Sequence, residues 1–309
     1  MAVAFIFPGQ GSQYSGMGKE LFDAFPEARE VFEEASEGAK VDIAKLCFEA
    51  PEEELTLTYN AQPAIFTVSM AVLKVLEKAG FDKKPVVVAG HSLGEFSAAG
   101  AAKVFSVHDG ALLVRKRGEF MQEAVPPGVG GMTAVIGLPS EKIEEVLKTV
   151  ESGFIQVANY NSPEQTVISG EIKALEEAEE KLKEAGAKRI VRLAVSAPFH
   201  SELMKPAAEK LKVLMEEITF KDAEVPIINN ADVKPIKNPE EIKDSFYRQM
   251  FSPVRWVEDV LKMKEMGIDT FYEIGPKNVL KGLIRRIDRS LKVINVEKPR
   301  DLEKLLTQT

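Results

Sequence analysis

The chain has 309 residues, 45% of them hydrophobic and 28% charged, the balance of a globular protein large enough for a substantial core. A net charge of -8 argues against nucleic acid as the main partner; the single Cys47 excludes an intrachain disulfide and, with only three histidines, leaves little for a structural zinc site. Residues 1–9 show no basic stretch before their short apolar run and do not read as a secretion signal, and the uncharged run 55–73 is too polar at Thr56, Thr58, Asn60, Gln62 and Pro63 for a membrane span, so a cytoplasmic protein is expected.

Residues 2–7 read as a first strand, ended by Pro8-Gly9-Gln10-Gly11-Ser12-Gln13. That loop is neither a dinucleotide fingerprint, which would need glycine at Tyr14, nor a phosphate loop, which would need lysine at Met17. Helical periodicity follows over 19–39, with breaks expected at Pro26 and Gly38, and again over 63–79. Cys47 lies in the apolar run 43–48 and reads as a packed thiol. Val86-Val-Val-Ala89 reads as a short buried strand, and Gly90-His91-Ser92-Leu93-Gly94 fits the Gly-x-Ser-x-Gly pattern of a nucleophile elbow before a helix over 95–103. On such a sharp turn the residues two before and two after the serine crowd together, which favours glycine at both. Ser106 and Asp109 form a capping-box-like start to a helix reaching about residue 123.

After the prolines and glycines of 126–131 the pattern changes to strand 132–136, helix 140–150, strands 154–158 and 165–169, helix 172–185 and strand 189–195, a βαββαβ unit of the ferredoxin-like kind. Its Glu/Lys run over 176–184 reads as a solvated helix face. The flanking chain alternates strand and helix as a single doubly wound α/β domain would. Helices are expected over 202–217, 239–250, 256–266 and 279–287, with strands over 226–230, 270–274 and 293–296. The expected organisation is a large α/β domain with a parallel-sheet core, residues 1–125 and 197–309, interrupted by a small domain, 126–196.

A serine nucleophile needs a base. His91 adjoins Ser92 and should project elsewhere from the turn, which suits packing or a supporting hydrogen bond; His108 lies in the first turn of a helix, where a cation opposes the helix dipole. His200 is left, in the loop where the chain leaves the inserted unit and returns to the main domain, a place that overhangs a cleft. No Asp or Glu between Ser92 and His200 stands out as the third member of a triad, so orientation of the histidine by a backbone carbonyl or an amide side chain stays open. The N–H of Leu93, just after the nucleophile, is one expected oxyanion donor, and the Gly-rich loop over 7–11 is the candidate source of the other.

Seven motifs, Phe7-Pro-Gly-Gln-Gly-Ser-Gln13, Asn60-Ala-Gln-Pro-Ala64, Gly90-His-Ser-Leu-Gly-Glu95, Arg117-Gly-Glu-Phe-Met-Gln122, Asn159-Tyr-Asn-Ser-Pro163, Pro198-Phe-His200 and Glu273-Ile-Gly-Pro276, together resemble the malonyl-CoA:acyl carrier protein transacylases of fatty-acid synthesis. They cover nearly the whole chain in order. The resemblance implies an α/β-hydrolase-like large domain, a Ser92–His200 dyad with the histidine held by the main-chain carbonyl of Gln249, and an oxyanion hole from the N–H groups of Gln10 and Leu93. It also implies that Arg117 holds the free carboxylate of the malonyl group, although in Arg115-Lys116-Arg117 any one residue could equally be a solvated helix face. Transfer would run from malonyl-CoA to the phosphopantetheine thiol of acyl carrier protein, with no metal or redox cofactor, no nucleic acid and no membrane, in a monomer. The carrier protein is acidic in this family, and Lys188, Arg189 and Arg192, or Lys277, Lys281 and Arg285, are the candidate basic surfaces; Phe199 resembles the malonyl-type pattern of related acyltransferases. The rivals are a serine esterase or thioesterase, which needs the same elbow and histidine, and a non-catalytic carrier-binding subunit that has kept the fold.

Overall fold

A computed structural model describes residues 1–308. The chain runs from β1 (Ala2–Phe7) through α1 (Lys19–Ala24), α2 (Pro26–Ala39), α3 (Ile43–Phe48), α4 (Glu52–Thr56) and α5 (Thr58–Lys78) to β2 (Pro85–Gly90), α6 (Leu93–Ala101) and α7 (Val107–Glu123). A second unit follows, β3 (Gly130–Ile136), α8 (Ser140–Leu147), β4 (Ile155–Ser162), β5 (Gln165–Glu171), α9 (Ile172–Glu184) and β6 (Arg189–Arg192). The chain then returns with α10 (Lys205–Glu216), β7 (Ile227–Ile228), β8 (Pro235–Ile236), α11 (Pro239–Gln249), α12 (Trp256–Glu265), β9 (Ile268–Ile274), α13 (Val279–Ile287), β10 (Lys292–Val296) and α14 (Pro299–Thr307).

The result is a mixed α/β architecture with two sheets. The larger has the order β10-β9-β1-β2-β7-β8 and is parallel except for β8, which forms an antiparallel hairpin with β7. Its central strand β1 is apolar on both faces because both are covered. Val3, Phe5 and Phe7 join the core containing Phe66 of α5 and Phe96 of α6, and Ala4 and Ile6 join that of Trp256 and Val260 from α12 with Leu280 and Ile284 from α13. The second sheet is antiparallel in the order β4-β5-β3-β6. Val135 and Ile168 pack with Leu175 and Leu182 of α9, while Met132, Ala134 and Val167 on the alternate face belong to the main core. Backbone hydrogen bonds from Tyr160 N to Val254 O (2.9 Å) and from Val254 N to Ala158 O (2.8 Å) tie β4 to the segment before α12.

Several boundaries differ from the sequence expectation for identifiable reasons. The break at Pro26 is present: Phe25 is extended at φ -129, as the residue before a proline prefers, and Pro26 opens α2. Gly38 does not break α2. It is a contact point, where an added Cβ would lie 2.0 Å from the carbonyl oxygen of His108 at the start of α7. Helix α5 begins at Thr58 and continues through Pro63; the missing Pro63 N–H leaves the carbonyl of Tyr59 without its helical donor, and Arg115 Nη1 supplies one at 2.9 Å. Strand β4 extends to Ser162, past the expected turn, because its pairing with β5 continues to Ser162 and Gln165, with register shifts on the way, and Asn159 also bridges to the distant Val254. The strand expected over 226–230 is paired only at Ile227–Ile228, and the hairpin partner β8 and the helices α3, α4 and α14 were not anticipated. Cys47 is buried, and burial pushes its thiol well above the usual range. Glu273 gives the Glu-Ile-Gly-Pro motif a physical role: its carboxylate accepts hydrogen bonds from Leu280 N and Lys281 N, both 2.9 Å, in the first turn of α13. No helix among the described residues is long and apolar enough to cross a membrane.

The contact at Gly38 leaves no room for a methyl group without moving α2 from α7. Gly38→Ala is therefore expected to destabilise the protein by about 1–3 kcal/mol in urea denaturation.

Candidate active site

The elbow is built by backbone crowding. A Cβ on Gly90 would fall 1.9 Å from the carbonyl carbon and oxygen of Gly94, and one on Gly94 would fall 2.1 Å from the carbonyl oxygen of Phe7. Only glycine fits at either place, so β1, β2 and α6 meet with Ser92 between them. Ser92 itself sits at φ 54, ψ -109, a strained conformation of the sort that costs about 1–3 kcal/mol. Asn230 holds it there: Asn230 Oδ1 accepts from Ser92 N at 2.9 Å, and Asn230 Nδ2 donates to Gly90 O at 2.7 Å.

His200 is also in the left-handed region, at φ 54, and is buried. Its Nδ1–H donates to the main-chain carbonyl of Gln249 at 2.9 Å, which fixes the tautomer and leaves Nε2 as an acceptor 2.7 Å from Ser92 Oγ. Burial and the Arg117 cation push His200 from its ordinary 6.5 down to about 3, so the imidazole is neutral at physiological pH. A neutral imidazole is what can take the serine proton.

Arg117 extends from α7 into the same space and is 1% exposed. Its Nη1 donates to Gln62 Oε1 (2.6 Å), and its Nη2 donates to Gln249 Oε1 (2.9 Å) and approaches Ser92 Oγ at 3.3 Å. The guanidinium lies over the Phe96 ring, 4.9 Å from its centroid, and Nε has no hydrogen-bond partner. Among the described residues no carboxylate forms an ion pair with it. The nearest acid in effect is Glu95, which is buried, accepts from Asn230 N at 2.5 Å and Ser245 Oγ at 3.3 Å, and is pushed by burial up to about 7. Burial in turn lowers the Arg117 guanidinium to about 9, still charged at neutral pH.

The Gly-rich loop is braced by its own side chains. Ser12 Oγ donates to Gly9 O at 2.5 Å, and Gly11 N donates to Gln13 Oε1 at 2.7 Å. Gln10 joins the Arg117 system through a relay: its Oε1 accepts from Thr58 Oγ1 (2.8 Å), which accepts from Gln62 Nε2 (3.0 Å). Leu93 is the first residue of α6, and a first-turn N–H has no acceptor within its own helix. Gln10, Ser92, Leu93, Arg117, Phe199 and His200 all line one cavity of about 290 Å³. It adjoins a wider outer one of about 580 Å³, which Gln10 and Phe199 share and whose rim carries Lys277.

The six residues Gln10, Ser92, Leu93, Arg117, His200 and Gln249 thus come together, but several neighbours had no expected role. Gln62 and Glu95 stood inside quoted motifs without a role. Asn230 carried no signal beyond ending a short apolar run, and the side chain of Gln249, which also donates from Nε2 to Asn230 Oδ1 (3.1 Å) and Ser92 O (3.0 Å), was unassigned. His91 is turned to the second sheet, its Nε2 2.6 Å from Asn161 Oδ1, and His108 is paired with Asp109 at the surface, as their positions suggested.

A serine hydroxyl on a neutral imidazole, beside a buried cation and free amide donors, is the equipment of an enzyme that moves acyl groups through a serine ester. The chain matches the model of the acyl transferase domain over residues 4–299 and belongs to that family. It is 49% identical over 303 residues to the malonyl CoA-acyl carrier protein transacylase of Bacillus subtilis, covering 97% of this chain and 95% of the relative. With the Escherichia coli K12 transacylase of the same name it shares 44% over 297 residues, 96% of each chain. Among solved structures, a malonyl-transacylase in complex with a type II polyketide acyl-carrier protein superposes with a TM-score of 0.97 at 43% identity, covering all of both chains. The acyl-carrier-protein S-malonyltransferase of Bartonella henselae also gives 0.97, at 46% identity over 100% of this chain and 99% of the other.

Because His200 is held neutral far below its ordinary 6.5, labelling of Ser92 by a fluorophosphonate probe is expected to keep its rate from about pH 8 to about pH 5 and to fall only below that. A pH–rate series with peptide mapping of the label checks it; a midpoint near 6.5 would contradict the depressed value.

Proposed function

We propose that this protein transfers a malonyl group from malonyl-CoA to the phosphopantetheine thiol of acyl carrier protein through a malonyl-serine ester. The observation that carries the malonyl specificity is the buried Arg117 guanidinium beside Ser92, hydrogen-bonded only by neutral side-chain oxygens and with Nε unused. An unpaired buried charge is costly, and an acyl donor with its own free carboxylate supplies the missing counter-ion. The planar fork of arginine matches a carboxylate in a way lysine cannot.

In the first half-reaction Ser92 Oγ attacks the thioester carbonyl as its proton passes to His200 Nε2. The oxyanion is held by the N–H groups of Gln10 and Leu93. The C–S bond breaks, and the departing sulfur takes the proton from His200. In the second, the carrier thiol gives its proton to His200 and attacks the ester carbonyl; the C–O bond breaks and Ser92 regains the proton. On this reading the protein's part in both steps falls to side chains and amides, with no metal or redox cofactor. In the same reading the six-stranded sheet with its elbow is an α/β-hydrolase-like domain, the βαββαβ unit is a ferredoxin-like small domain, and the protein is a cytoplasmic monomer. The acidic carrier docks over Lys277, Lys281 and Arg285, since Lys277 stands at the mouth of the outer cavity. The alternative surface is less suited, because Arg192 is paired with Glu179 at 2.7 Å and Glu176 and Glu180 lie in the same depression as Lys188 and Arg189. The hydrolase reading is not favoured by the relatives.

Incubation with malonyl-CoA followed by intact-mass and peptide analysis is expected to give one malonyl adduct on Ser92, stable in water and discharged by a carrier thiol; rapid turnover without an acceptor would indicate a hydrolase. Ser92→Ala abolishes the adduct. Arg117→Ala is expected to lower malonyl transfer about 10- to 150-fold, the equivalent of the roughly 1.5–3 kcal/mol of a charge-assisted hydrogen bond, while affecting acetyl transfer much less. Equal losses for both acyl groups would overturn the carboxylate role.

A further inference from the structure

The base lies in a loop and occupies a backbone conformation that non-glycine residues rarely adopt, so something outside the loop has to hold it. The ring is held by the Gln249 carbonyl and the Ser92 hydroxyl, but neither fixes the main chain of His200. The main chain is gripped from the second sheet. Gln156, on β4, donates from Nε2 to the carbonyl oxygen of His200 at 3.0 Å and accepts at Oε1 from the backbone N–H of Glu202 at 3.1 Å. One carboxamide thus closes a two-pronged bridge across the turn, in the way a neighbouring strand would. Among the described residues no other donor reaches the His200 carbonyl. Other loop bonds, Phe199 N to Ala197 O (3.1 Å), Gln122 Nε2 to Ser196 Oγ (3.0 Å), Ser201 Oγ to Pro198 O (2.6 Å) and Met204 N to Ser201 O (2.8 Å), fix its flanks and do not reach the His200 carbonyl.

We infer that Gln156 is a positioning residue for the acyl-transfer reaction: it holds the His200 backbone in its left-handed conformation, so that Nε2 stays in reach of the Ser92 hydroxyl, and it makes the second sheet part of the catalytic apparatus. The inference rests on the reading of His200 as the base. Gln156 is not among the residues lining the inner cavity, so its loss acts on the chemical step and not on substrate binding.

The test is single-turnover acylation by malonyl-CoA, followed by quenched-flow mass spectrometry, in wild type, Gln156→Met and Gln156→Glu. Gln156→Met keeps the length and apolar stem but removes both hydrogen bonds; Gln156→Glu keeps an acceptor for Glu202 N but removes the donor to His200 O. Both are expected to acylate about tenfold or more slowly, with KM for malonyl-CoA within about twofold of wild type and melting temperature within about 3 °C. Acylation by Gln156→Met within about twofold of wild type would overturn the inference, as would a rise in KM at unchanged rate or a loss of rate that follows a loss of melting temperature. A wild type that forms no acyl adduct would remove the reading of His200, and this inference with it, and so is distinguishable from a failure of Gln156 alone.

Discussion

The burial of one guanidinium organises this molecule. A cation out of water is costly unless polar partners surround it, and here Nη1 and Nη2 are met by neutral oxygens, Gln62 from α5, Gln249 from the end of α11 and the Ser92 hydroxyl, while Nε stays unpaired. Each of these partners is itself held by a further bond, Gln62 through Thr58 to Gln10 and Gln249 through Asn230 to the elbow. A single connected set of hydrogen bonds therefore joins the Gly-rich loop after β1, the long helix α5, the elbow after β2 and the end of α11. These parts lie far apart in the sequence, and they meet where Arg117 needs acceptors.

The second constraint is steric. Close approach of Gly90 to Gly94 and of Gly94 to Phe7 O leaves Ser92 no ordinary conformation, and His200 is bent in the same sense by a different device. Strain at both residues is sustained because the surroundings over-determine them: a buried asparagine at the serine and a glutamine from another sheet at the histidine. Ser92 Oγ and His200 Nε2 are thus fixed by backbone placement more than by side-chain freedom, which would suit the proposed reaction, whose barrier depends on alignment.

How much of this could be read beforehand follows from the range of each interaction. The elbow, the capped start of α7 and the alternation of strands and helices are local patterns, and the elbow glycines could be explained before any contact was seen. That His200, of the three histidines, lies beside Ser92 was legible too, since that expectation used only its position after the βαββαβ unit. What escaped depends on long-range pairing. The continuation of α5 through Pro63 is tolerated because Arg115, 52 positions along, serves the freed Tyr59 carbonyl. The bonds that add Val254 to the side of β4 are long-range, and the role of Asn230 comes from the four partners of its side chain on three other segments. Gln249 shows both limits at once, since family resemblance supplied its carbonyl while its side chain, equally engaged, had no local mark.

The buried Arg117 charge is, after burial itself, one of the influences depressing the basicity of His200. If the proposed malonyl carboxylate sits on the guanidinium it would offset that influence, leaving burial as the main one, and the imidazole of the loaded protein would be a stronger base than that of the empty one. On the proposed reading, one histidine would then serve the two half-reactions with two strengths, a weaker base when the acyl group arrives and a stronger one when the incoming thiol is deprotonated. An acyl group without a carboxylate would leave the base weak, so on that reading the cation would discriminate a second time, after binding, through the rate of discharge.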